Sequence, residues 1–294
     1  MQGLGEVDGK TWLMVALVSI TVAFVTVWVL VAPPAEPQPV RRRGIYHSLV
    51  GFVLCFFDTL GIGNFAPTTA AFKLRGSIPD ERIPGTLNVG YTIPTALQAI
   101  LYIRTVEVDF RTLALMISAS VLGAWLGSGV VSRWPRRWIQ VGMGFALLGA
   151  AALLVLSQVG GMPGAGTAAG LSGARLAAGV AGNFVLGALM TLGIGAYAPC
   201  LLLVSLLGMN PRAAFPIMMG SCAFLMPVAG MRFLRSGACD RPASVALTIA
   251  GIPAVVAAAT LVRELSLTQI RWLVLVVVAL TAAMMFRSAL QKRN

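Results

Sequence analysis

Charged residues are scarce in this chain, and so are the residue types that usually build enzyme and metal sites. Asp, Glu, Lys and Arg make up 11% of the 294 residues, whereas a soluble domain carries about 25%. Only one histidine, His47, is present, and the four cysteines form no Cys-x-x-Cys pair. The sequence therefore excludes a soluble enzyme, a zinc centre and a disulfide framework, and we expect no cofactor.

The chain consists instead of long uncharged apolar blocks. Hydrophobic residues account for 57% of the sequence, and the blocks lack the alternation of ~10-residue strands that is typical of membrane β-barrels. We therefore predict an all-α, polytopic integral membrane protein in a lipid bilayer. The net charge of +12 does not indicate nucleic-acid binding, because the Lys and Arg residues lie in short loops where they set membrane topology.

The blocks predict four segments. Residues 1–43 form an N-terminal transmembrane anchor with a Pro- and Arg-rich linker; the uncharged stretch Thr11–Ala32 is long enough to span the bilayer. Residues 44–157 form a first repeat, residues 158–173 a Gly-rich linker, and residues 174–294 a second repeat. The simple spans predicted within the repeats are Ile83–Ile103, Thr112–Ser132, Trp138–Ser157, Ala213–Met231, Ala243–Val262 and Thr268–Phe286.

A nine-residue motif supports the division into repeats. Thr59–Pro67 (TLGIGNFAP) returns 132 residues later as Thr191–Pro199 (TLGIGAYAP), with seven of nine positions identical. Each copy lies near the centre of a long apolar block, Gly44–Phe72 or Leu176–Pro211. A straight helix over the second block would be ~54 Å long, far longer than the membrane core, so we expect both blocks to break at the motif.

The motif also indicates how each block breaks. Glycine permits the tight turn, and proline suits the first turn of a new helix. We therefore predict short second arms over about Pro67–Lys73 and Pro199–Leu206, which are half-helices whose N-termini lie deep in the membrane.

The distribution of positive charge orients the chain. If both broken blocks are hairpins, 15 of the 22 Lys and Arg residues fall on the cytoplasmic side, as the positive-inside rule requires. The two repeats are then inverted relative to each other, as in many secondary transporters. This topology predicts an inner (cytoplasmic) membrane protein with its N-terminus outside and its C-terminus in the cytoplasm.

Two half-helix N-termini predict a binding site for an anion. Each carries about half a positive charge and several unpaired N–H groups, so no Lys or Arg is needed. The alternative is that the breaks only pack tightly, and that nearby hydroxyl and amide groups cap freed backbone. The candidate substrate-binding residues are Thr59, Gly61, Gly63, Asn64, Pro67, Thr68, Asn88, Tyr91, Thr191, Gly193, Gly195, Tyr197, Pro199, Cys200 and Ser221.

Asp58 is the single acidic residue inside an apolar span, and such residues are functional candidates in membrane proteins. It is our candidate for proton coupling; the alternative is that it caps the helix break or pairs with an arginine. The second repeat has Met190 at the matching position, so Asp58 is not part of the symmetric scaffold.

The string from Gly51 through Asp58 to Pro67, with its second copy from Gly187 to Pro199, resembles the sulfite exporter TauE/SafE family of membrane permeases. The likeness runs over about Gly44–Ser288 and leaves the N-terminal anchor outside. It implies transport of small anions such as sulfite, thiosulfate, organosulfonates or small carboxylates, energised by an ion gradient.

These observations favour a secondary transporter for a small anion, with alternating access from the two inverted halves. An anion channel of the same architecture is the alternative. We do not expect an enzyme, because the spans lack a nucleophile–base pair and clustered metal ligands. The coupling ion (H⁺ or Na⁺) and the presence of a homo-oligomer stay open.

The hairpin topology makes a prediction about two loops. Arg75 and Arg136, each replaced by cysteine in a cysteine-free background, should react with an impermeant maleimide from the same face of the membrane. Arg104, replaced in the same way, should react from the opposite face. Labelling of Arg75 and Arg136 from opposite faces would refute the hairpins.

Overall fold

The computed structural model describes residues 2–31, 40–131, 141, 144–145, 148, 152, 166–190, 197–264, 266, 269, 272, 275–276, 279–280, 282–283 and 286–287. These residues contain no β-strand, and their one β-type pairing is an isolated bridge between Ala168 and Met209. The bounded helices among them are α1 (Gln2–Leu30), α2 (Val40–Thr59), α3 (Phe65–Arg75), α4 (Ile83–Thr105), α5 (Phe110–Val131), α6 (Gly173–Met190), α7 (Tyr197–Leu206), α8 (Ala214–Ser236) and α9 (Arg241–Glu264).

Helix length and composition confirm the all-helical membrane protein. Among the described residues, four helical stretches are long and apolar enough to cross a bilayer: Gly9–Leu30, Gly173–Met190, Pro211–Ser236 and Arg241–Leu261. The described residues of the predicted spans Trp138–Ser157 and Thr268–Phe286 are also helical.

The two short helices, α3 and α7, end in the same local structure. After α3, Gly76 has φ 55°, and after α7, Gly208 has φ 89°. In both places the glycine N–H donates to the carbonyl three residues back, and the next N–H donates to the carbonyl five residues back. This pattern is the Schellman motif, which pairs the last carbonyls of a helix.

The same order of elements follows each of these glycines. A 3₁₀ turn, Asp80–Arg82 or Pro211–Ala213, leads into a long helix with an internal proline, Pro94 in α4 or Pro227 in α8. Because Gly76 and Gly208 are themselves 132 residues apart, the sequence repeat is also a repeat of local structure. The inversion of the repeats and their boundaries stay predictions.

The chain divides into two compact units. Unit 1 comprises Met1–Ile103 with Cys222–Arg263, and unit 2 comprises Arg104–Ser221 with Glu264–Asn294. Each unit therefore contains segments from both predicted repeats.

In unit 1, helix α9 packs closely on α2 and α4. A Cβ on Gly51 would lie 2.9 Å from Leu247 Cα, and a Cβ on Gly90 would lie 2.9 Å from Leu247 Cβ. Glycine is thus the residue that fits at both contacts, as is common where membrane helices approach each other.

A hydrogen bond from α9 compensates for the proline inside α4. Pro94 has no N–H, so the carbonyl of Gly90, four residues earlier, loses its usual helical donor. The Thr248 hydroxyl on α9 donates to this carbonyl at 2.6 Å. A backbone group that would be left unpaired in an apolar setting is therefore paired from the neighbouring helix.

Helix α1 contacts the rest of unit 1 through one face. Phe24 is buried against Val89, Leu234 and Cys239, and the guanidinium of Arg241 donates to the Trp28 carbonyl at 3.4 Å. Large apolar side chains of α1, including Val18, Val22 and Val29, are exposed. They line an open apolar cavity together with Ile93 and Ile100 of α4.

In unit 2, helices α5 and α6 cross at two glycines. A Cβ on Gly123 would collide with the Phe184 carbonyl, and a Cβ on Gly187 with the Ser120 carbonyl. The close crossing follows from the absence of side chains at these positions.

The start of α5 in unit 2 is fixed by Asp109. One of its carboxylate oxygens accepts from the Thr112 N–H at 2.8 Å and from the Thr112 hydroxyl at 2.7 Å, as in an N-cap. The Leu171 N–H donates to the Thr112 Oγ1 at 3.0 Å. The end of the predicted Gly-rich linker is therefore attached to α5.

The substitution Thr248→Val tests whether the Thr248 hydroxyl replaces the helical donor that Pro94 lacks. Thr248→Val keeps the side-chain shape and leaves the buried Gly90 carbonyl without a donor, which should lower the free energy of unfolding by about 1–3 kcal/mol. The measurement is thermal unfolding in detergent. Thr260→Val is the control, since the Thr260 hydroxyl is exposed and bonds only to carbonyls of its own helix. Equal losses in the two variants would contradict the assignment.

Candidate functional site

The predicted break in the first repeat is present in unit 1, and Gly61 ends α2. The Gly61 N–H donates to the Asp58 carbonyl at 2.8 Å, and the Ile62 N–H donates to the Phe57 carbonyl at 3.1 Å. This is again a Schellman motif, and it requires the left-handed conformation that Gly61 adopts at φ 95°. The carbonyls at the end of α2 are thereby paired without water.

Gly63 and Asn64 begin α3. Gly63 also has a positive φ, 82°, and Asn64 is the N-cap. The helix starts at Phe65, two residues before the predicted start at Pro67. Because Pro67 occupies the third helical position and has no N–H, the donors of the first turn that lack a helical acceptor include the N–H groups of Phe65 and Ala66.

The Asn64 side chain is buried at this helix start and has no polar contact. It is 1% exposed, it makes no capping hydrogen bond, and neither Nδ2 nor Oδ1 has a partner among the described residues. Asparagine at an N-cap normally accepts from the second or third N–H of its helix. A buried amide without any partner is uncommon in folded proteins and calls for an explanation such as a ligand.

Asp58 and Thr59 are joined by a glutamine on α4. Gln98 Nε2 donates to Asp58 Oδ2 at 2.9 Å and to Thr59 Oγ1 at 2.8 Å, while the Tyr102 hydroxyl donates to the Thr59 carbonyl at 2.9 Å. All four side chains are buried. The acid is therefore held at the end of α2 by hydrogen bonds to a neighbouring helix.

The same face of α4 also reaches α3. The hydroxyls of Thr68 and Tyr91 lie 2.9 Å apart, and Thr68 Oγ1 donates to the Asn64 carbonyl at 2.6 Å. The rings of Phe65 and Tyr91 are 6.4 Å apart at their centroids. Thus α4 contacts both sides of the break.

Sequence reasoning missed Gln98 and Tyr102, although a signal was present. Tyr91, Thr95, Gln98 and Tyr102 follow each other at spacings of four, three and four residues, which places them on one helical face. All four are buried. A buried polar stripe in an apolar helix marks the face toward a polar site.

Other predicted residues of unit 1 behave differently. The amide of Asn88 donates to the Pro84 carbonyl of its own helix at 2.9 Å, and Asn88 is half-buried. The structure thus brings Asp58, Thr59, Asn64, Thr68 and Tyr91 together at the break and gives Asn88 a partner within α4.

The second motif belongs to unit 2 and is described in part. Thr191, Gly193 and Gly195 lie outside the described residues; α6 ends at Met190 before them, and α7 begins at Tyr197 after them. The break predicted in the second block falls on residues outside the described part of the chain and stays a prediction.

Three predicted residues follow the second break within unit 2. Pro199 and Cys200 on α7 are buried. Ser221 is also buried, and its Oγ lies 3.4 Å from Asn183 Nδ2, which donates to the Met116 carbonyl at 2.7 Å. The sequence analysis had not identified Asn183, which adds a buried amide to α6.

The described residues contain no group of three or more His, Cys, Asp or Glu side chains placed to hold a metal ion. The groups gathered at the first break are hydroxyls, amides, backbone N–H donors and one carboxylate. Such a set binds small polar ions by hydrogen bonds.

Comparison with known proteins identifies the family. The model of the family described as sulfite exporter TauE/SafE matches residues 4–154, which is just over half of the chain. The match includes the N-terminal helix, which the motif resemblance had left outside, and it includes the first break. No curated protein and no solved structure matches the chain. The chain belongs to the sulfite exporter TauE/SafE family, a family of membrane transporters for sulfite-type anions.

Proposed function

We propose that this protein is a secondary transporter that moves a small anion, namely a sulfur oxyanion, an organosulfonate or a small carboxylate, across the cytoplasmic membrane by alternating access. The observation that carries the proposal is the buried, unpartnered amide of Asn64 at the N-terminus of α3. An anion bound there would accept from this amide and from the free N–H groups of the first turn.

The electrostatics of the break support an anion. The N-terminus of α3 carries about half a positive charge, and helix N-termini bind anions through their N–H groups. The segment from Thr59 to Phe72 contains no charged residue.

We propose that the second copy of the motif, in unit 2, also takes part in anion binding. By the topology that the positive charges predict, the N-terminus of α7 faces the membrane from the opposite leaflet. We propose that Thr191, Gly193, Gly195, Tyr197, Pro199, Cys200 and Ser221 act there as their counterparts do in the first copy. Half-helix ends that bind substrate are typical of repeat-based transporters.

Asp58 is the proposed proton carrier. Asp58 lies six residues before the N-cap of α3 in the chain, so a bound anion and an ionised Asp58 repel each other. Protonation of Asp58 removes this repulsion, and anion and proton then bind together. Titratable groups that interact electrostatically with Asp58 include Cys55 on its own helix and Tyr91 and Tyr102 on α4.

The substitution Gly63→Val tests the proposed anion site at the start of α3. Gly63→Val forces a β-branched residue into the left-handed region, which should displace the start of α3 and reduce uptake of sulfite by proteoliposomes to background. Gly76→Val is the control, because Gly76 has a similar positive φ and open space around its Cβ, at the far end of α3. It should bear the same strain and still transport.

Normal flux in Gly63→Val would contradict the site. Counterflow of labelled sulfite against unlabelled sulfite separates a carrier from the channel alternative, since a channel shows no counterflow.

The substitution Asp58→Asn tests the proposed proton coupling. Asp58→Asn keeps the shape and removes the titratable group, so uptake should no longer respond to an imposed pH gradient. Asp80→Asn is the control, because Asp80 is an exposed acid paired with Lys73 at 2.6 Å. A pH response that survives in Asp58→Asn eliminates this relay, and a dependence on a Na⁺ gradient in the wild type would assign the coupling to Na⁺.

A further inference from the structure

The two polar atoms of the Asn64 amide have opposite requirements. Nδ2 is a donor and Oδ1 is an acceptor, and both are buried without a partner among the described residues. Turning the amide by half a rotation exchanges the two atoms and leaves both requirements unmet. A ligand that satisfies this side chain has to present an acceptor and a donor within the span of one amide group.

The backbone at the same place offers donors only. The N–H groups of Phe65 and Ala66 begin α3 without helical acceptors. A fully deprotonated oxyanion would satisfy these groups and Asn64 Nδ2, but it has no hydrogen for Asn64 Oδ1. An anion that retains one hydroxyl proton can satisfy all of them.

Charge favours the same class of ligand. The helix end supplies about half a positive charge, and Asp58, six residues before the N-cap, supplies a competing negative charge whenever it is ionised. A second negative charge on the ligand doubles its repulsion from Asp58. The local field thus suits a ligand with a single negative charge.

We propose that the start of α3 selects monoanions that carry a hydroxyl proton, of the hydrogen sulfite type, over dianions and over monoanions without such a proton. This inference rests on the anion site proposed above and names the protonation state of its ligand. Asn64 is the specificity-determining residue: its Oδ1 accepts from the ligand hydroxyl, and its Nδ2 donates to a ligand oxygen.

A pair of ligands of equal shape tests the proposal. Methylphosphonate and methanesulfonate have the same heavy-atom framework, and below its second ionisation methylphosphonate is a monoanion with one hydroxyl proton. Methanesulfonate is a monoanion without one. We expect the purified wild-type protein to bind methylphosphonate about tenfold more tightly, as befits one additional hydrogen bond to a buried group. The measurement is titration calorimetry in detergent.

A second titration above the second ionisation of methylphosphonate tests the charge. The ligand is then a dianion without the hydroxyl, and its advantage over methanesulfonate should be lost or reversed. Methanesulfonate does not titrate in this range. A change in its affinity therefore measures the effect of titrating protein groups such as Asp58, Cys55, Tyr91 or Tyr102. The ratio of the two affinities therefore isolates the ligand proton.

Asn64→Leu assigns the selectivity to the amide. The variant should bind the two ligands equally, and its unfolding temperature without anion should not fall, because leucine replaces a buried amide that has no partner to lose. A preference for methylphosphonate that survives in Asn64→Leu would overturn the role of Asn64.

The outcomes separate this inference from the proposed function. If the wild type binds neither ligand and also does not bind sulfite, the anion site itself fails. If it binds both ligands equally, or binds the dianion more tightly, the site stands and the selection of a protonated monoanion is wrong.

Discussion

Backbone N–H and carbonyl groups inside a membrane have to find partners within the protein, and the local structure of this chain depends on that constraint. The end of α2 meets it through the Schellman motif at Gly61. The proline in α4 meets it through the hydroxyl of Thr248. The carbonyl of Thr59 accepts from Tyr102. Against this background, Asn64 stands out among the described residues, because both polar atoms of its buried amide lack a partner.

Opposite helix ends meet at the break. The carbonyl end of α2 is the negative end of its dipole, and the N–H end of α3 is the positive end of its own. Asp58 lies at the negative end, where the α2 dipole opposes its charge, while Gln98 supports the charge with an N–H donor. This balance is the basis for the proposal that Asp58 takes up a proton when an anion arrives at α3.

The break was predictable from sequence because its cause is local. Two glycines and a proline in an apolar block too long to be one span predict a turn and a new helix, and Gly61 and Gly63 have the positive φ values that this turn needs. The start of α3 was placed too late, since proline favours the first helical position but is also accommodated in the third, where an N–H would likewise be free. Asn64 then becomes the N-cap.

Contacts between segments that are distant in sequence were harder to predict. Gln98 and Tyr102 act on the break from about 40 residues away in sequence, and only their shared helical face with Tyr91 signals them. The packing of α9 on α2 and α4 depends on how Gly51 and Gly90 fit Leu247, and no spacing within one segment encodes it. For the same reason the division into compact units could not be deduced from the repeat.

The packing in unit 1 also restricts how access can alternate. Helices α2 and α4 lie in the first predicted repeat and α9 lies in the second, yet Leu247 fits between Gly51 and Gly90 without room for one added carbon. A rigid movement of one repeat against the other would separate these helices and remove the Thr248 donor from the Gly90 carbonyl. Because that cost is high in a membrane, we expect α2, α4 and α9 to move together in the proposed transport cycle. The proposed alternation of access should therefore preserve the contact of α9 with α2 and α4.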